Sequence, residues 1–337
     1  MMRKGLPDLL KGLAVLSMIQ VHIMELFVRQ DIFDGAFGRL SLFIGGPPAA
    51  PIFLIVMGYF LALKERPFLY FIKRGMLLIL WGLLLNIGLN FHLFVKIYQG
   101  TYALNPLDYL FGVDIFFLAG LSVILIGVIK SLFRSRGYLY FFLALAIVFV
   151  TPKLPGFADD SWLKYVEAFL WGKQSWSYFP LFPWLAYPLT GFAYVYIEKM
   201  IFKDGLTYQN KISIVLPAGA VVFFTFSYGI EIAADLEYYY HHSFLYFGWI
   251  ILFVSFWAIV LSFIEENGGR SKIIRYFKWI GKTVTSHYVF QWLIIGNIAT
   301  AIYKTQGLGQ YSLWFIGTSV ATSLLVWFWR RVKKNYI

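Results

Sequence analysis

The chain has 337 residues, of which 60% are hydrophobic, 21% aromatic and only 14% charged, with a mean hydropathy of +0.69. A soluble domain carries roughly 25% charged residues, so the composition excludes a soluble enzyme and predicts an all-α, polytopic transmembrane bundle in one domain, residues 1–337. The net charge of +12 lies in short clusters between apolar runs, which argues against a nucleic-acid module, and the absence of cysteine excludes disulfides, thiolate nucleophiles and cysteine metal sites.

A bilayer-crossing helix needs about 20 apolar residues. In chain order the expected spans are 7–29, 48–64, 75–95, 110–133, 137–152, 179–201, 211–229, 244–264, 279–303 and 311–330, about ten in all. Arg3 and Lys4 before the first run resemble the start of a signal peptide. No small-residue cleavage pattern follows, so the run is kept as the first span. With the N-terminus inside, 22 of the 29 lysines and arginines fall on inner segments. This asymmetry predicts that both termini are cytoplasmic and that the number of spans is even.

The first span, DLLKGLAVLSMIQVHIMELF (Asp8–Phe27), is unusual in its charges. Positions 8, 11, 15, 18, 22 and 25 follow helical spacing and share one stripe. Asp8, Lys11, His22 and Glu25 are ionisable, and each such group costs several kcal/mol in hydrocarbon. Asp8, Lys11 and Glu25 have interfacial explanations, by snorkelling or pairing at the membrane edge. His22, about 16 Å along the axis from Lys11, is the immersed group and reads as functional.

The segment KGLAVLSMIQVH (Lys11–His22) resembles the R-x10-H signature of membrane acyltransferases, with lysine in place of arginine. GGPPAAPIFLIVMGYFLAL (45–63), GVDIFFLAGLSVIL (112–125), YFPLFPWLAYPLTGF (178–192) and WIGKTVTSHYVFQWLI (279–294) resemble, in order, blocks of the bacterial relatives of heparan-α-glucosaminide N-acetyltransferase. The resemblance implies roughly ten helices, acetyl-CoA or another acyl-CoA as donor on the cytoplasmic side, and a hydroxyl or amine of a saccharide or glycolipid as acceptor on the other. It implies catalytic duty for His22. The lysine departure puts a phosphate contact at Lys11 in doubt, because a point charge replaces a bidentate fork.

Acyl transfer needs a base, oxyanion donors and aligned reactants. A histidine suits the first task, as general base or as acyl carrier. Glu25, one turn on, is placed to orient it. Asp114 is a second candidate, with a helix N-terminal charge as its ordinary reading. For the donor's phosphates the candidates are Lys11, Arg74 and Lys282, the last two each followed directly by a span, although positive-inside orientation explains such clusters equally well. His287 joins them on the donor side.

Asn86 with Asn90, and His287 with Gln291, are i,i+4 pairs able to line a pocket or to hydrogen-bond between helices. The aromatic outer segment from Asp159 to Trp184 suits both a membrane-interface belt and a platform for sugar rings. Pro183 and Pro188 are expected to interrupt the sixth span. His241 and His242 lack a ligand set of familiar spacing, so no metal is expected.

The reading is a membrane acyltransferase of the cell membrane acting on an envelope glycan, with the bilayer and an oligomer as compatible partners. A secondary transporter lined by His22 is the rival, and a non-enzymatic scaffold the third alternative.

Overall fold

The computed structural model describes residues 5–133, 136–156, 162–201, 206–269 and 271–336, so Arg3, Lys4 and Asp159 lie outside the described residues. The main helices in chain order are α1 (Leu6–Phe27), α2 (Ala36–Gly45), α3 (Ala50–Ala62), α4 (Phe68–Leu89), α5 (Ile115–Phe133), α6 (Gly137–Val150), α7 (Ala186–Ile201), α8 (Tyr208–Phe224), α9 (Phe226–Ala234), α10 (Phe244–Gly268), α11 (Lys272–Lys282), α12 (Val284–Ile302) and α13 (Leu308–Tyr336). Among the described residues no strand forms, and one isolated bridge joins Val28 to Gln306.

Among the described residues six stretches are long and apolar enough to cross a bilayer: α1, α2 with α3, α4, α5, α10 and residues 308–333 of α13. The pair α8 and α9 is apolar enough but bent by 64°, which makes it a seventh only if the two count as one broken span. The remaining expected spans are shorter or more polar. Helices α6 and α7 have 14 and 16 residues. Helix α12 has the length, 19 residues, but carries His287, Gln291 and Asn297.

Several boundaries differ from expectation for identifiable reasons. Helix α4 starts at Phe68, after Pro67 at its N-cap, so Lys73 and Arg74 fall inside the helix. Pro188 does not break α7; it sits in the first turn, where a missing N–H costs little. The expected span 279–303 breaks at Thr283, because residues 272–282 alternate Lys272, Arg275, Lys278 and Lys282 with Ile274, Phe277 and Ile280 and so form an amphipathic helix of their own. At the bend between α8 and α9, the Trp249 indole donates to Thr225 Oγ1 at 2.9 Å.

Helix α1 is central, in contact with α2, α3, α10, α11, α12 and α13. Apolar surface gives little driving force between helices in lipid, so close backbone approach and hydrogen bonds do the work. A Cβ at Gly12 would overlap the Phe277 carbonyl, and one at Gly281 the Asp8 carbonyl, which fixes α11 against the first half of α1. Helices α3 and α7 meet in the same reciprocal way: Gly58 lies on the Pro188 carbonyl and Gly191 on the Ile55 carbonyl.

Higher on α1, Gln20 Oε1 accepts from Ser41 (2.6 Å) and Tyr311 (2.8 Å), while its amide donates to the Ser41 carbonyl (2.9 Å). This satisfied network ties α1 to α2 and α13. The far end of α1 is strapped by the loop before α13. Lys304 N–H donates to the Leu26 carbonyl (3.0 Å), Gln306 N–H to that of Phe27 (2.8 Å), and Arg29 N–H to that of Gln306 (2.9 Å). Lys304 holds a φ of 57° to do so, a left-handed conformation that costs a non-glycine residue roughly 1 kcal/mol.

The α3–α7 crossing gives a direct test. Gly58→Ala and Gly191→Ala should each destabilise the protein by about 1–3 kcal/mol, the usual cost of overpacking. Thermal unfolding of the detergent-purified variants measures it, and unchanged midpoints would mean that the two helices do not touch there.

Candidate active site

The ionisable stripe of α1 resolves into two pairs. Asp8 and Lys11 form an ion pair at 3.1 Å, and Lys11 Nζ lies 5.3 Å from the centre of the Phe60 ring. Three turns further on, His22 Nδ1 lies 3.2 Å from Glu25 Oε2. A carboxylate at Glu25 makes Nδ1 the donor, and the other ring nitrogen, Nε2, is then the basic one. The Trp292 ring of α12 packs over the imidazole at 4.1 Å, inclined by 36°. Glu25 also lies within electrostatic reach of Tyr178, Tyr239 and Tyr240, so the pair borders the aromatic wall of the far end.

Asp114 is held by three donors. Its Oδ1 accepts from the N–H groups of Phe116 (2.9 Å) and Phe117 (3.2 Å), capping α5, and its Oδ2 accepts from the Tyr288 hydroxyl (3.3 Å). Tyr288 and Trp292 are one turn apart on α12. The same flank of that helix therefore carries the partner of Asp114 and the partner of His22.

At the opposite end of the bundle from Glu25, where α1 begins, a cavity of about 530 Å³ is lined by Lys282, Thr283, Thr285, Ser286, Trp329, Arg330 and Lys333. This lies within the size range of small-molecule sites. It combines three cations, three hydroxyls, one indole and the start of α12. Thr283 makes no side-chain cap to α12, and the dipole at a helix start favours an anion.

The other expected residues lie elsewhere. Arg74 is exposed on α4 and does not line the cavity, and Lys11 is engaged by Asp8. Asn86 donates to the carbonyls of Leu110 (3.0 Å) and Gly112 (2.8 Å), and Asn90 donates to those of Asn86 (3.0 Å) and Tyr109 (3.4 Å), so both staple α4 to the segment before α5. Trp184 is fully buried among Phe179, Tyr187, Tyr239 and His242 and donates to the Tyr240 carbonyl at 2.8 Å. His287 and Gln291 lie buried on α12 above the cavity. Sequence reasoning missed Trp292, Tyr288, Trp329, Arg330 and Lys333. The available signal was Arg330 and Lys333 at i,i+3, directly after an apolar span.

His242 is also buried. Its Nδ1 donates to the Tyr239 carbonyl (2.9 Å) and its Nε2 accepts from the Tyr187 hydroxyl (2.9 Å). Among the described residues no group of three or more His, Cys, Asp or Glu is placed to hold a metal.

A family model described as heparan-alpha-glucosaminide N-acetyltransferase, catalytic, matches residues 3–211. That stretch holds Lys11, His22, Glu25, Arg74, Asn86, Asn90, Asp114 and Trp184, whereas Lys282, His287 and Gln291 lie beyond it. No curated protein and no solved structure matches the chain.

Burial pushes the His242 imidazole from 6.5 down to about 4, with the neighbouring His241 adding to the effect. A depressed histidine contributes stability that is complete above the unfolded value and is lost as pH falls toward the folded one. Thermal unfolding of the wild type should therefore weaken between pH 6.5 and about 4. His242→Asn should remove up to about 3 kcal/mol of that dependence. Superimposable pH profiles would show that the imidazole is not held neutral.

Proposed function

The chain belongs to the heparan-α-glucosaminide N-acetyltransferase catalytic family, a family of transmembrane acetyltransferases. From that premise we propose that it moves an acetyl group from cytoplasmic acetyl-CoA to a hydroxyl or amine of a saccharide or glycolipid at the outer face of the cell membrane. The observation that carries the reading is the carboxylate-oriented imidazole of His22, inside the family-matched first helix and walled by Trp292. The predominance of lysine and arginine at the end where α1 begins supports a cytoplasmic side there, by the positive-inside rule.

The donor's nucleotide binds in the cavity of Lys282, Arg330 and Lys333, where cations and the α12 N-terminus offset its phosphates and the Trp329 indole offers a face to its base. His22 Nε2 takes the proton of the acceptor's hydroxyl or amine as that oxygen or nitrogen bonds to the thioester carbon. The carbon–sulfur bond breaks, and the thiolate receives the proton from the imidazolium, which regenerates the neutral ring. Glu25 holds the ring in one tautomer and stabilises its cationic form, as a carboxylate does for a catalytic histidine elsewhere. Direct transfer needs only this one base.

Different residues of the one chain serve donor and acceptor, from opposite ends. Trp292 and the nucleotide cavity come from α11 to α13, so residues 1–337 act as one unit. The acceptor approaches from the glutamate side of His22, where Tyr178, Tyr239 and Tyr240 lie near Glu25.

Purified protein incubated with labelled acetyl-CoA and a panel of amino sugars, glucosides and lipid-linked saccharides, with products identified by mass, tests the reading. His22→Ala should lower turnover by about 10²–10⁴-fold, the typical contribution of a general base, and leave CoA binding in place. Full turnover in that variant would remove the histidine from the mechanism. Failure of the wild type to release CoA with any acceptor would favour a transporter.

A further inference from the structure

Above the nucleotide cavity, buried polar atoms without partners gather between two adjacent helices. His287 is 1% exposed and Gln291 is 0% exposed. His287 Nδ1 lies 3.1 Å from Thr283 Oγ1 and 3.2 Å from the Thr283 carbonyl oxygen. The Thr283 hydroxyl itself donates to the Trp279 carbonyl at 2.8 Å, so Nδ1 is the donor in this contact and Nε2 is an acceptor. That Nε2 has no hydrogen-bond partner, and neither do Gln291 Nε2 and Oε1. On α13, which packs along α12, the hydroxyls of Ser319 and Thr322 are likewise unpartnered. Serine and threonine in helices commonly bond back to the carbonyl one turn earlier, and these two do not.

The line of polar groups has a beginning and an end. Thr283 lines the nucleotide cavity and also bonds His287, so the polar line starts at the cavity wall. Gln291 is one turn above His287 on the same face, next in sequence to the Trp292 that packs on His22. One turn higher the same face carries Ile295 and then Ala299, closed against Val15, Ile19, Ile23 and Tyr311 in a dry cluster. The unpartnered atoms thus run from the cavity to the level of His22 and stop there.

Leaving a buried donor or acceptor unsatisfied is costly, and native proteins keep few of them. Their chemistry is that of amide recognition. A primary amide can donate to one secondary amide and accept from another, the imidazole Nε2 can accept an N–H or O–H, and the two hydroxyls can donate to carbonyls.

We propose that the α12–α13 seam, through Gln291 and His287, binds the amide-bearing pantetheine arm of the donor and delivers its thioester to His22. The lengths agree. Thr283 to Trp292 spans about 14 Å along the helix axis, and the roughly thirteen bonds between pyrophosphate and sulfur extend about 16 Å. Gln291 is here a specificity residue that reads the arm, distinct from the cations that read the nucleotide. This rests on the acetyl-CoA reading above.

The test compares two probes on full-length purified protein: CoA, and adenosine 3′,5′-bisphosphate, which keeps the phosphates and base but lacks the arm. Gln291→Leu should weaken CoA binding about tenfold or more, as expected for the loss of one or two hydrogen bonds, and leave adenosine bisphosphate binding unchanged. Lys282→Ala should weaken both. The Gln291→Leu protein should fold at least as well as the wild type, since it loses an unpartnered amide, and its unliganded melting temperature reports this. Equal CoA affinity in wild type and Gln291→Leu would overturn the inference while leaving the acetyl-CoA reading intact. A parallel loss of both probes in Gln291→Leu would also overturn it, because the residue would then not distinguish arm from nucleotide. If the wild type binds neither probe, the acetyl-CoA reading falls first.

Discussion

An ionisable side chain inside a membrane is tolerated only if something nearby answers its charge or its hydrogen bonds. In α1 the answer comes from the helix itself: Lys11 from Asp8, and His22 from Glu25, each pair three residues apart. This local pairing lets the helix stay central, because neighbours need not supply counter-charges and can approach as bare backbone. Gly12 and Gly281 use that freedom at one end, and the Gln20 network uses it in the middle. The imidazole can then be half-buried with its Nδ1 engaged by Glu25, which fixes the tautomer and leaves the other nitrogen available.

Much of this was legible in the sequence because it depends on period and charge. The 3,4,3,4,3 spacing on α1 placed the four ionisable groups on one stripe, and i,i+3 geometry then made the two pairs. The helical class followed from composition alone. What could not be read was where long apolar runs break. Residues 279–303 are apolar enough to suggest one span, yet the charges of α11 repeat at helical spacing and demand a helix lying differently from α12. Similarly, Asn86 and Asn90 have the spacing of pocket residues, but their amides meet carbonyls of a loop more than 15 residues away in sequence. Side-chain amides are equally suited to either task, and only the fold decides.

The basic clusters illustrate the same limit. Positive-inside orientation requires lysine and arginine at one end of the bundle and so hides any that bind a ligand. Arg74 and Lys282 look alike in sequence, each directly before an apolar run. In the fold one is exposed on α4, while the other meets Arg330 and Lys333 around a cavity at the start of α12. The difference lies in the break at Thr283, which turns a helix N-terminus toward those cations.

The strap that pins Leu26 and Phe27 to Lys304 and Gln306 joins the first helix to the last two across nearly the whole length of the chain. The family-model match ends at residue 211, yet the wall over the imidazole and the cations of the cavity come from beyond it. A polypeptide severed after α7 would leave two fragments, neither carrying a complete centre. Their reassembly in one bilayer, seeded by three backbone hydrogen bonds, would be the condition for any activity at all.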